Sequence, residues 1–520
     1  MYELIIRNGT IIDGLKTPRY QADVGVTNGR IHAIGDLSGA TAVQTLDAQG
    51  KIVAPGFIDV HNHSDAWLLK KPHFESKTRQ GFTSEVIMAD GIGYAPLSPE
   101  MAYDWIYYQH ALNGLEFSEY SGWQTIEAYM ALLDGATVQN SITHIPYANL
   151  RIMAAGYGRA VPDDYQMRHI LQEIEIGMAA GAVGLSNGLD YVTQAFAKTD
   201  EFVEVCRRVG ELGGIYVSHI RYKKGMIPAL KEAVEIGRRA NIPVHISHLK
   251  GSNEKETEAI INYIDTVAVN EVDFTFDTYP YISSSTMLNY LLPKEVWEDG
   301  PLNVISKLKQ SKIRRRFTSA FKAANIGQSQ IAWVRSKANA KFQGYTLEAY
   351  ANALNLPPED AFCNLLIEEN LSVLLVFFFE ENESLYPMLT HDKFMMGTDG
   401  IYHEEGMIHP RQYGSTGRFL GRFARDAGLM DLETAVFKMS SFPAQRFGLK
   451  DRGVLQEGAF ADIVVFDAST IIDKATPDTP HQMTEGVEHL IVNGTPVIEN
   501  QEIVDLGDRA LPGRALKYQQ

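Results

Sequence analysis

Short apolar runs alternate with longer helix-like segments through the middle of this 520-residue chain, and this rhythm constrains the fold more than any other feature. The apolar runs lie at 57–60, 183–185, 215–217, 244–246, 274–276 and 394–396. Helix-like segments such as 201–213 and 227–240 lie between them. Strands and helices in regular alternation predict parallel strands with crossover helices. The number of such units predicts an α/β fold with a closed (β/α)8 TIM-like barrel.

Both ends of the chain carry a different pattern, typical of short antiparallel strands. Alternating apolar residues flank the turns Asn8-Gly9 and Asn28-Gly29, and a similar strand, turn and strand occupies 489–498. The two ends are expected to form one small β-sandwich, from residues 1–55 and 451–520. Residues 56–450 then form the barrel. A charged stretch at about 286–345 breaks the rhythm and is expected to be an insertion, either a solvated subdomain or lid or a part of the catalytic site.

Charge and cysteine content exclude several classes of protein. The formal net charge of −17 argues against a broad nucleic-acid or anionic-membrane surface, which would need a basic excess. Two cysteines exclude a disulfide framework and a Cys-rich zinc cluster. No secretory signal is evident, and the apolar run Val373 to Phe379 is too short to cross a membrane. The expected location is the cytoplasm, and the expected partner is a small-molecule substrate.

Four apolar runs end in residues that can bind a metal. The first ends in His61-Asn62-His63, and the alternation of side chains along a strand points His61 and His63 to the same side. Two such imidazoles make a bidentate metal clamp, although two polar loop residues would show the same letters. Later runs end in His219, His248 and Asp399. Because barrels place their active sites at the C-terminal ends of the strands, this ordered set predicts a metal centre there.

The chain resembles the amidohydrolase superfamily, and within it the N-acyl-D-amino-acid deacylases (D-aminoacylases), over nearly its whole length. The motifs that carry the resemblance are Gly56 to His63, Gly184 to Leu189, Ser218 to Arg221, Ile246 to Lys250, Tyr279 to Tyr281, Gly397 to Gly400, His409 to Arg411, Pro480 to Gln482 and Pro512 to Arg514.

This resemblance implies a centre of one or two divalent ions per chain, usually zinc. His61 and His63 are expected to bind one metal, His219 and His248 the second, and Asp399 is expected to be the catalytic carboxylate close to the first. The implied reaction is hydrolysis of the amide bond of N-acyl amino acids, with the D configuration implied by the resemblance alone, by a metal-activated water. In that reaction Asp399 accepts the proton of the water and returns it to the leaving nitrogen.

One position departs from the family pattern. These deacylases usually carry a metal-binding Cys after the second strand, whereas the gapless alignment places Asp90 there. A carboxylate can bridge two metals as a thiolate can, but it is a harder ligand and prefers harder ions. A shifted alignment would instead place Ile92 at this position, which would leave no bridge and a single metal.

The resemblance also implies residues that bind the substrate. Arg411 is the candidate for holding a substrate carboxylate, because its planar guanidinium can bind such a group through two hydrogen bonds. Lys250, Tyr279 and Ser285 match family positions that assist. The structural alternative for Arg411 is an ion pair within the protein.

Two rival functions remain at this stage. A related barrel enzyme could cleave a cyclic amide, carbamate, ester or lactone, since fold alone does not decide the bond. A non-catalytic scaffold is the third hypothesis, and the presence of the complete ligand set argues against it.

Overall fold

A computed structural model describes residues 1–323, 326–507 and 509–519 of the chain. Residues 324 and 325 of the predicted insertion, and residues 508 and 520 of the predicted C-terminal segment, lie outside this description. The strands, in chain order, are β1 Tyr2–Ile11, β2 Tyr20–Thr27, β3 Arg30–Gly35, β4 Ala42–Asp47, β5 Ile52–Pro55, β6 Phe57–Asp59, β7 Asn62–His63, β8 Phe82–Ile87, β9 Asn140–Thr143, β10 Ile145–Pro146, β11 Gly184–Gly188, β12 Ile215–His219, β13 Val244–Ile246, β14 Phe274–Thr278, β15 Ser284–Met287, β16 Gln330–Val334, β17 Val373–Phe377, β18 Phe394–Met396, β19 Gly400–Ile401, β20 Ile463–Phe466, β21 Val487–Val492, β22 Thr495–Glu499 and β23 Glu502–Ile503.

The α-helices, in chain order, are α1 Asp65–Lys70, α2 Glu75–Thr78, α3 Pro99–Asn113, α4 Ile126–Ala131, α5 Tyr147–Ala155, α6 Asp164–Ala179, α7 Thr199–Glu211, α8 Met226–Ala240, α9 Glu254–Tyr263, α10 Val269–Glu271, α11 Pro301–Leu308, α12 Ser311–Ala323, α13 Leu347–Ala353, α14 Pro358–Glu368, α15 Tyr386–Thr390, α16 Arg411–Gly417, α17 Leu432–Met439 and α18 Ser441–Arg446. Two of them, α9 and α16, continue as π-helical segments over Ile264–Ala268 and Arg418–Asp426. Among the described residues, no helix combines the length and the apolar content that crossing a bilayer requires.

The parallel strands close into a barrel. In order around it, β6 pairs with β8 and β8 with β9, and β10, which continues β9, pairs with β11. The series goes on through β12, β13 and β14 to β18, all parallel. The ring closes where β19 pairs with β7, with Gly400 opposite Asn62. Closure brings the last strand against the first, and this joint lies at the C-terminal ends where the predicted ligands are found.

An apolar cluster fills the barrel below those ends. Ile58, Val86, Val217 and Met395 from four different strands pack together with Phe447, which follows α18. Each of these side chains is buried. The cluster therefore forms an apolar layer within the barrel, below the polar side chains at the strand ends.

The helices outside the barrel begin and end at residues with suitable chemistry. Asp163 precedes α6 and accepts hydrogen bonds from Tyr165 N and Gln166 N, and the Gln166 side chain in turn accepts from Asp163 N. This reciprocal capping satisfies backbone donors at the start of the helix. A helix C-terminus is illustrated by α8, which ends before Asn241, a residue with a left-handed φ of 53°.

Strands from both ends of the chain form one continuous mixed sheet, in the order β23-β22-β21-β20-β5-β1-β2-β3, with β4 paired to β1. The link is antiparallel pairing of β20 with β5, in which Ile463 lies opposite Pro55. The predicted fold class, a (β/α)8 TIM-like barrel with a second domain built from both termini, is confirmed; the strands of that domain, expected as a small β-sandwich, form this one mixed sheet. We propose the division into 1–55, 56–450 and 451–520 on the basis of this strand order.

A three-stranded antiparallel sheet interrupts the barrel between β14 and β18. Its central strand, β17, pairs with β15 on one side and β16 on the other. The inserted elements therefore extend from Ser284 to Phe377, further than the charged stretch at 286–345 indicates. The apolar run that begins at Val373 is the buried centre of this sheet.

Candidate metal centre

The six predicted metal ligands come together at the C-terminal ends of the barrel strands. His61 lies between β6 and β7, and His63 is the last residue of β7. His219 is the last residue of β12, and His248 follows β13 by two residues. Asp399 lies between β18 and β19. Asp90 lies in the turn after β8. All of these side chains are buried except that of His248, which is partly exposed.

Their ligand atoms form two groups that share one carboxylate. His61, His63 and Asp90 form the first group, and Asp90, His219 and His248 form the second, with the ligand atoms of each group within 4.8 Å of one another. Asp90 Oδ1 lies 3.6 Å from His61 Nε2, and Asp90 Oδ2 lies 3.8 Å from His63 Nε2. Asp90 Oδ2 also lies 3.6 Å from His219 Nδ1 and 3.7 Å from His248 Nε2.

The spacing from Asp90 to the imidazoles fits a metal better than it fits hydrogen bonds, whereas His219 Nδ1 and His248 Nε2 lie 2.9 Å apart, within hydrogen-bond distance. Ligands about 2.0–2.1 Å from a tetrahedral ion are separated by about 3.3 Å. The distances of 3.6–3.8 Å from Asp90 to the four imidazoles are near that value and too long for hydrogen bonds. Among the described residues, His61 Nε2 and Asp90 Oδ1 are buried without any hydrogen-bond partner. Buried polar atoms without a partner are costly, and a bound cation would satisfy both.

The four imidazoles and Asp90 together form a cage of ligand atoms. Asp399 lies beside the part of this cage formed by His61 and His63. Its Oδ1 is 3.4 Å from His63 Nε2 and 3.6 Å from His61 Nε2, while its Oδ2 is 3.0 Å from Arg411 Nη2. The carboxylate therefore faces the first metal position with one oxygen and a guanidinium with the other.

Opposite charges set the ionisation of these groups. Burial raises the pKa of Asp90, but His61, His219 and His248 overcome it and hold that pKa well below its usual range. Burial likewise opposes ionisation of Asp399, yet Arg411 and His63 lower the pKa of its carboxyl. Both carboxylates are therefore charged at neutral pH and available as metal ligands.

His61 shows the complementary effect. Burial alone would lower the pKa of its imidazole, but the carboxylates of Asp277, Asp90 and Asp399 raise that pKa to about 10. A site in which three carboxylates surround one buried imidazole is one that attracts positive charge, which a divalent ion would supply.

Several residues that orient the ligands were missed by the sequence analysis. Asp277 near the end of β14 lies 3.4 Å from His61 Nδ1 and accepts a hydrogen bond from the backbone N of His248 at 2.8 Å. Asn113 Oδ1 lies 3.2 Å from His63 Nδ1. Partners of this kind fix the orientation of a metal-binding imidazole. Asp277 directly follows the apolar run 274–276, which is the same sequence feature that indicated the other residues at strand ends. Asn113 lies on α3, and no sequence feature indicated it.

A cavity of about 330 Å³ opens from the cage. His63, Asp90, His219, His248 and Asp399 line its inner end. The remaining walls are largely apolar or aromatic and include Leu112, Met226, Tyr290, Leu291, Phe377 and Ile401. The walls from Tyr290, Leu291 and Phe377 belong to the inserted unit, which therefore shapes the cavity.

The four predicted substrate-binding residues lie on or next to the wall of this cavity, and they differ in the hydrogen bonds that they already make within the protein. Lys250, Tyr279 and Ser285 line it. Lys250 Nζ donates to the carbonyl oxygens of residues 281, 282 and 283 at 3.1, 2.7 and 3.0 Å, which uses its three protons within the protein. Ser285 Oγ donates to the carbonyl of Leu375 at 2.7 Å.

Arg411 lies against two of the lining residues. Its guanidinium pairs with Asp399 and stacks over the Tyr279 ring, 4.3 Å from the centroid. The side chain is fully buried, and within the described part of the chain its Nε and Nη1 have no hydrogen-bond partner. The structural alternative, an internal ion pair, is thus present, and Nε and Nη1 remain unpaired in a side chain that contacts the cavity wall without being part of it.

Comparison with known proteins gives one family and several relatives. A family model described as the amidohydrolase family matches residues 44–282 and 383–498, and the unmatched stretch contains the inserted sheet. The chain is 33% identical over 511 residues to a D-aminoacylase from Alcaligenes xylosoxydans xylosoxydans, covering 96% of this chain and 95% of that protein. It is 35% identical over 501 residues to an N-acyl-D-glutamate deacylase from the same organism, covering 95% and 93%. A crystal structure of the N-acyl-D-glutamate deacylase from Bordetella bronchiseptica, complexed with zinc and a phosphonate inhibitor, is similar with a TM-score of 0.84 and 32% identity, covering 99% of both chains.

Proposed function

The chain belongs to the amidohydrolase family, and within it we propose that it removes the acyl group from N-acyl-D-amino acids whose side chain is apolar. The family resemblance inferred from the motifs is confirmed. The chain is a metal-dependent amide hydrolase, and zinc is the expected metal because the similar Bordetella structure contains it. The D configuration follows the activities named for the two curated relatives.

One observation carries the proposal: a buried cage of four imidazoles and a shared carboxylate opens into a cavity beside a second carboxylate and a guanidinium. His61, His63 and Asp90 would hold one ion, and Asp90, His219 and His248 a second. An ion in this cage supplies a Lewis acid that brings the pKa of water towards about 7. The donor set of imidazoles and carboxylate suits zinc and also harder divalent ions.

Asp399 is positioned to move the proton. It is ionised, lies at the inner end of the cavity, and faces the first ligand group with Oδ1. It can accept a proton from the attacking water and pass it to the leaving nitrogen, as the sequence analysis expects.

Arg411 provides the recognition of the substrate carboxylate in this proposal. Its unpaired Nε and Nη1 are the donors that remain after the pair with Asp399 is made. A carboxylate that engages them gains charge-assisted hydrogen bonds in a buried site. Lys250 supports this region by holding the backbone of residues 281–283, which lies next to Ser284 and Ser285 on the cavity wall.

The cavity walls favour an apolar substrate side chain. Leu112, Met226, Leu291 and Ile401 offer no hydrogen bond to a second carboxylate. The hydroxyl groups on the wall, such as those of Ser284 and Thr286, carry no positive charge to balance one, and Lys250 is bonded to backbone carbonyls. The carboxylate of Asp190, 3.9 Å from His219 Nε2, adds negative charge close by. Burying a carboxylate against such walls without a partner is strongly unfavourable.

The test measures hydrolysis of N-acetyl-D-methionine, N-acetyl-L-methionine and N-acetyl-D-glutamate by zinc-loaded protein. The rate is monitored through the free amine that is released. We expect kcat/KM for the D-methionine derivative to exceed that for the D-glutamate derivative by about 100-fold or more. Absence of turnover of every D substrate would overturn the proposed activity. A preference for the glutamate derivative would overturn the assignment of the side-chain class and leave the activity intact.

A further inference from the structure

The backbone at Asp399 adopts a conformation that needs support. Its φ is 47°, in the left-handed region that residues other than glycine rarely adopt. Asp399 N donates to the carbonyl of His61 at 2.7 Å, which ties the last barrel strand to the first. A small change in this turn would move the carboxylate relative to His61 and His63.

The hydroxyl of Thr398 spans that turn. Thr398 Oγ accepts a hydrogen bond from Gly400 N at 3.1 Å, so the bond closes around Asp399. Such a hydroxyl-to-backbone turn mimics a backbone turn and stabilises the left-handed residue between its two ends. The same hydroxyl donates to Asp59 Oδ2 at 2.6 Å, which fixes the direction of its single proton.

Asp59 in turn joins the two strands at the barrel closure. Its Oδ1 accepts from Thr398 N at 2.9 Å and from His61 N at 3.3 Å. One carboxylate therefore holds the backbone before Asp399 and the backbone at His61. The strands approach so closely here that a Cβ on Gly397 would lie 2.8 Å from His61 Cβ. The relative positions of the two site residues thus depend on Asp59 and on the hydroxyl that it orients.

A buried lysine lies directly against this carboxylate. Lys77 Nζ contacts Asp59 Oδ2 directly and lies 3.6 Å from Glu85 Oε2. The Lys77 and Asp59 side chains are both fully buried. The contact with Lys77 therefore helps to hold the Asp59 carboxylate where it accepts the hydrogen bond from Thr398.

We propose that Thr398 is a positioning residue for the reaction, holding Asp399 against His61 and His63 through its paired hydrogen bonds to Asp59 and Gly400. The kinetic part of this inference rests on the proposed function, because it assigns the moved proton to Asp399. The structural part, that the hydroxyl holds the turn, stands independently of which substrate the protein uses.

The test compares Thr398→Val, which keeps the shape of the side chain and removes its hydroxyl, with Thr398→Ser, which keeps the hydroxyl. Thr278→Val is the matched control, since Thr278 lies on the adjacent strand and its buried hydroxyl has no partner among the described residues. We expect Thr398→Val to lower kcat by about 10- to 100-fold with KM within about twofold of wild type, as misplacement of a catalytic group does. Thr398→Ser should restore kcat, and Thr278→Val should match wild type.

Hydrogen exchange on the zinc-free protein provides the second readout. In Thr398→Val the Gly400 amide, which loses its acceptor, should exchange at least about tenfold faster because local opening exposes it to water. The Asp399 amide should follow, because its bond to the His61 carbonyl lies in the same turn. Thr398→Ser should retain wild-type exchange. Wild-type kcat or exchange in Thr398→Val would overturn the proposal, and so would equal defects in the Ser and Val variants. If wild-type protein hydrolyses none of the substrates, the proposed function fails, and the exchange comparison still decides whether the hydroxyl holds the turn.

Discussion

Replacement of Asp90 is the sharpest test of the metal centre, because both ligand groups share this carboxylate. Residues that only orient a ligand typically cost about 10- to 100-fold in metal affinity when they are changed. Asp90 faces four imidazole nitrogens at 3.6–3.8 Å, so it stands in direct contact with both metal positions. We therefore expect Asp90→Asn to weaken metal binding by more than about 100-fold, or about 2.7 kcal/mol.

The assay is dialysis of zinc-loaded protein against increasing chelator, with metal content measured by plasma mass spectrometry. Wild type should retain two ions per chain at chelator concentrations where Asp90→Asn retains one or none. Asp90→Cys restores the ligand usual in the resembled deacylases and should again hold two zinc ions. Asp65→Asn is the control, because Asp65 is equally buried and an amide oxygen can still accept the hydrogen bond from Met88 N at 3.0 Å. Two retained ions in Asp90→Asn, with the midpoint of wild type, would refute the shared ligand.

Three further predictions follow from the same structure. Asp399→Asn should lower kcat by about 100-fold or more while metal content and urea midpoint stay close to wild type; substantial turnover would contradict its role as base. Arg411→Ala should abolish the preference for a carboxylate substrate over the corresponding amide, about 100-fold in kcat/KM, and an unchanged ratio would contradict the clamp. Burial, assisted by the Lys16 charge, lowers the pKa of Lys438 to about 7, whereas the unfolded chain keeps that proton to about pH 10.4. Because the unfolded state binds more protons between these values, wild-type stability in urea should rise from about pH 7 to pH 10, and Lys438→Met should lack that part of the rise.

The barrel and most of the cage could be predicted because strand periodicity is local. His61, His63 and His219 lie within or next to strands, so alternation of side chains indicates the direction in which they point. The parallel order of strands then brings their ends together without any knowledge of loop structure. Asp90 required the family alignment, because it lies in a turn where no periodicity applies.

Other parts of the site could not be predicted because their partners come from distant elements. Lys77 reads as an ordinary charged residue of a short helix, yet it is fully buried beside Asp59 and Glu85. The length of the inserted unit was underestimated for a similar reason. Val373 to Phe377 looks like a barrel strand in isolation, and its antiparallel partners, β15 and β16, decide that it belongs to a separate sheet.

Backbone conformation sets the final geometry of the cage, and it does so against local preference. Asp90, His248 and Asp399 all have left-handed φ values, of 57°, 40° and 47°. Each such conformation costs roughly 1–3 kcal/mol unless surrounding contacts impose it, and it is tolerated better by Asp than by His. At each residue a contact from another strand or loop imposes it: Gln194 Nε2 donates to Asp90 O, Asp277 accepts from His248 N, and His61 O accepts from Asp399 N. Tertiary hydrogen bonds thus help to set the direction of these three side chains, which explains why the candidate ligands could be proposed from the sequence and the family resemblance whereas their detailed geometry could not.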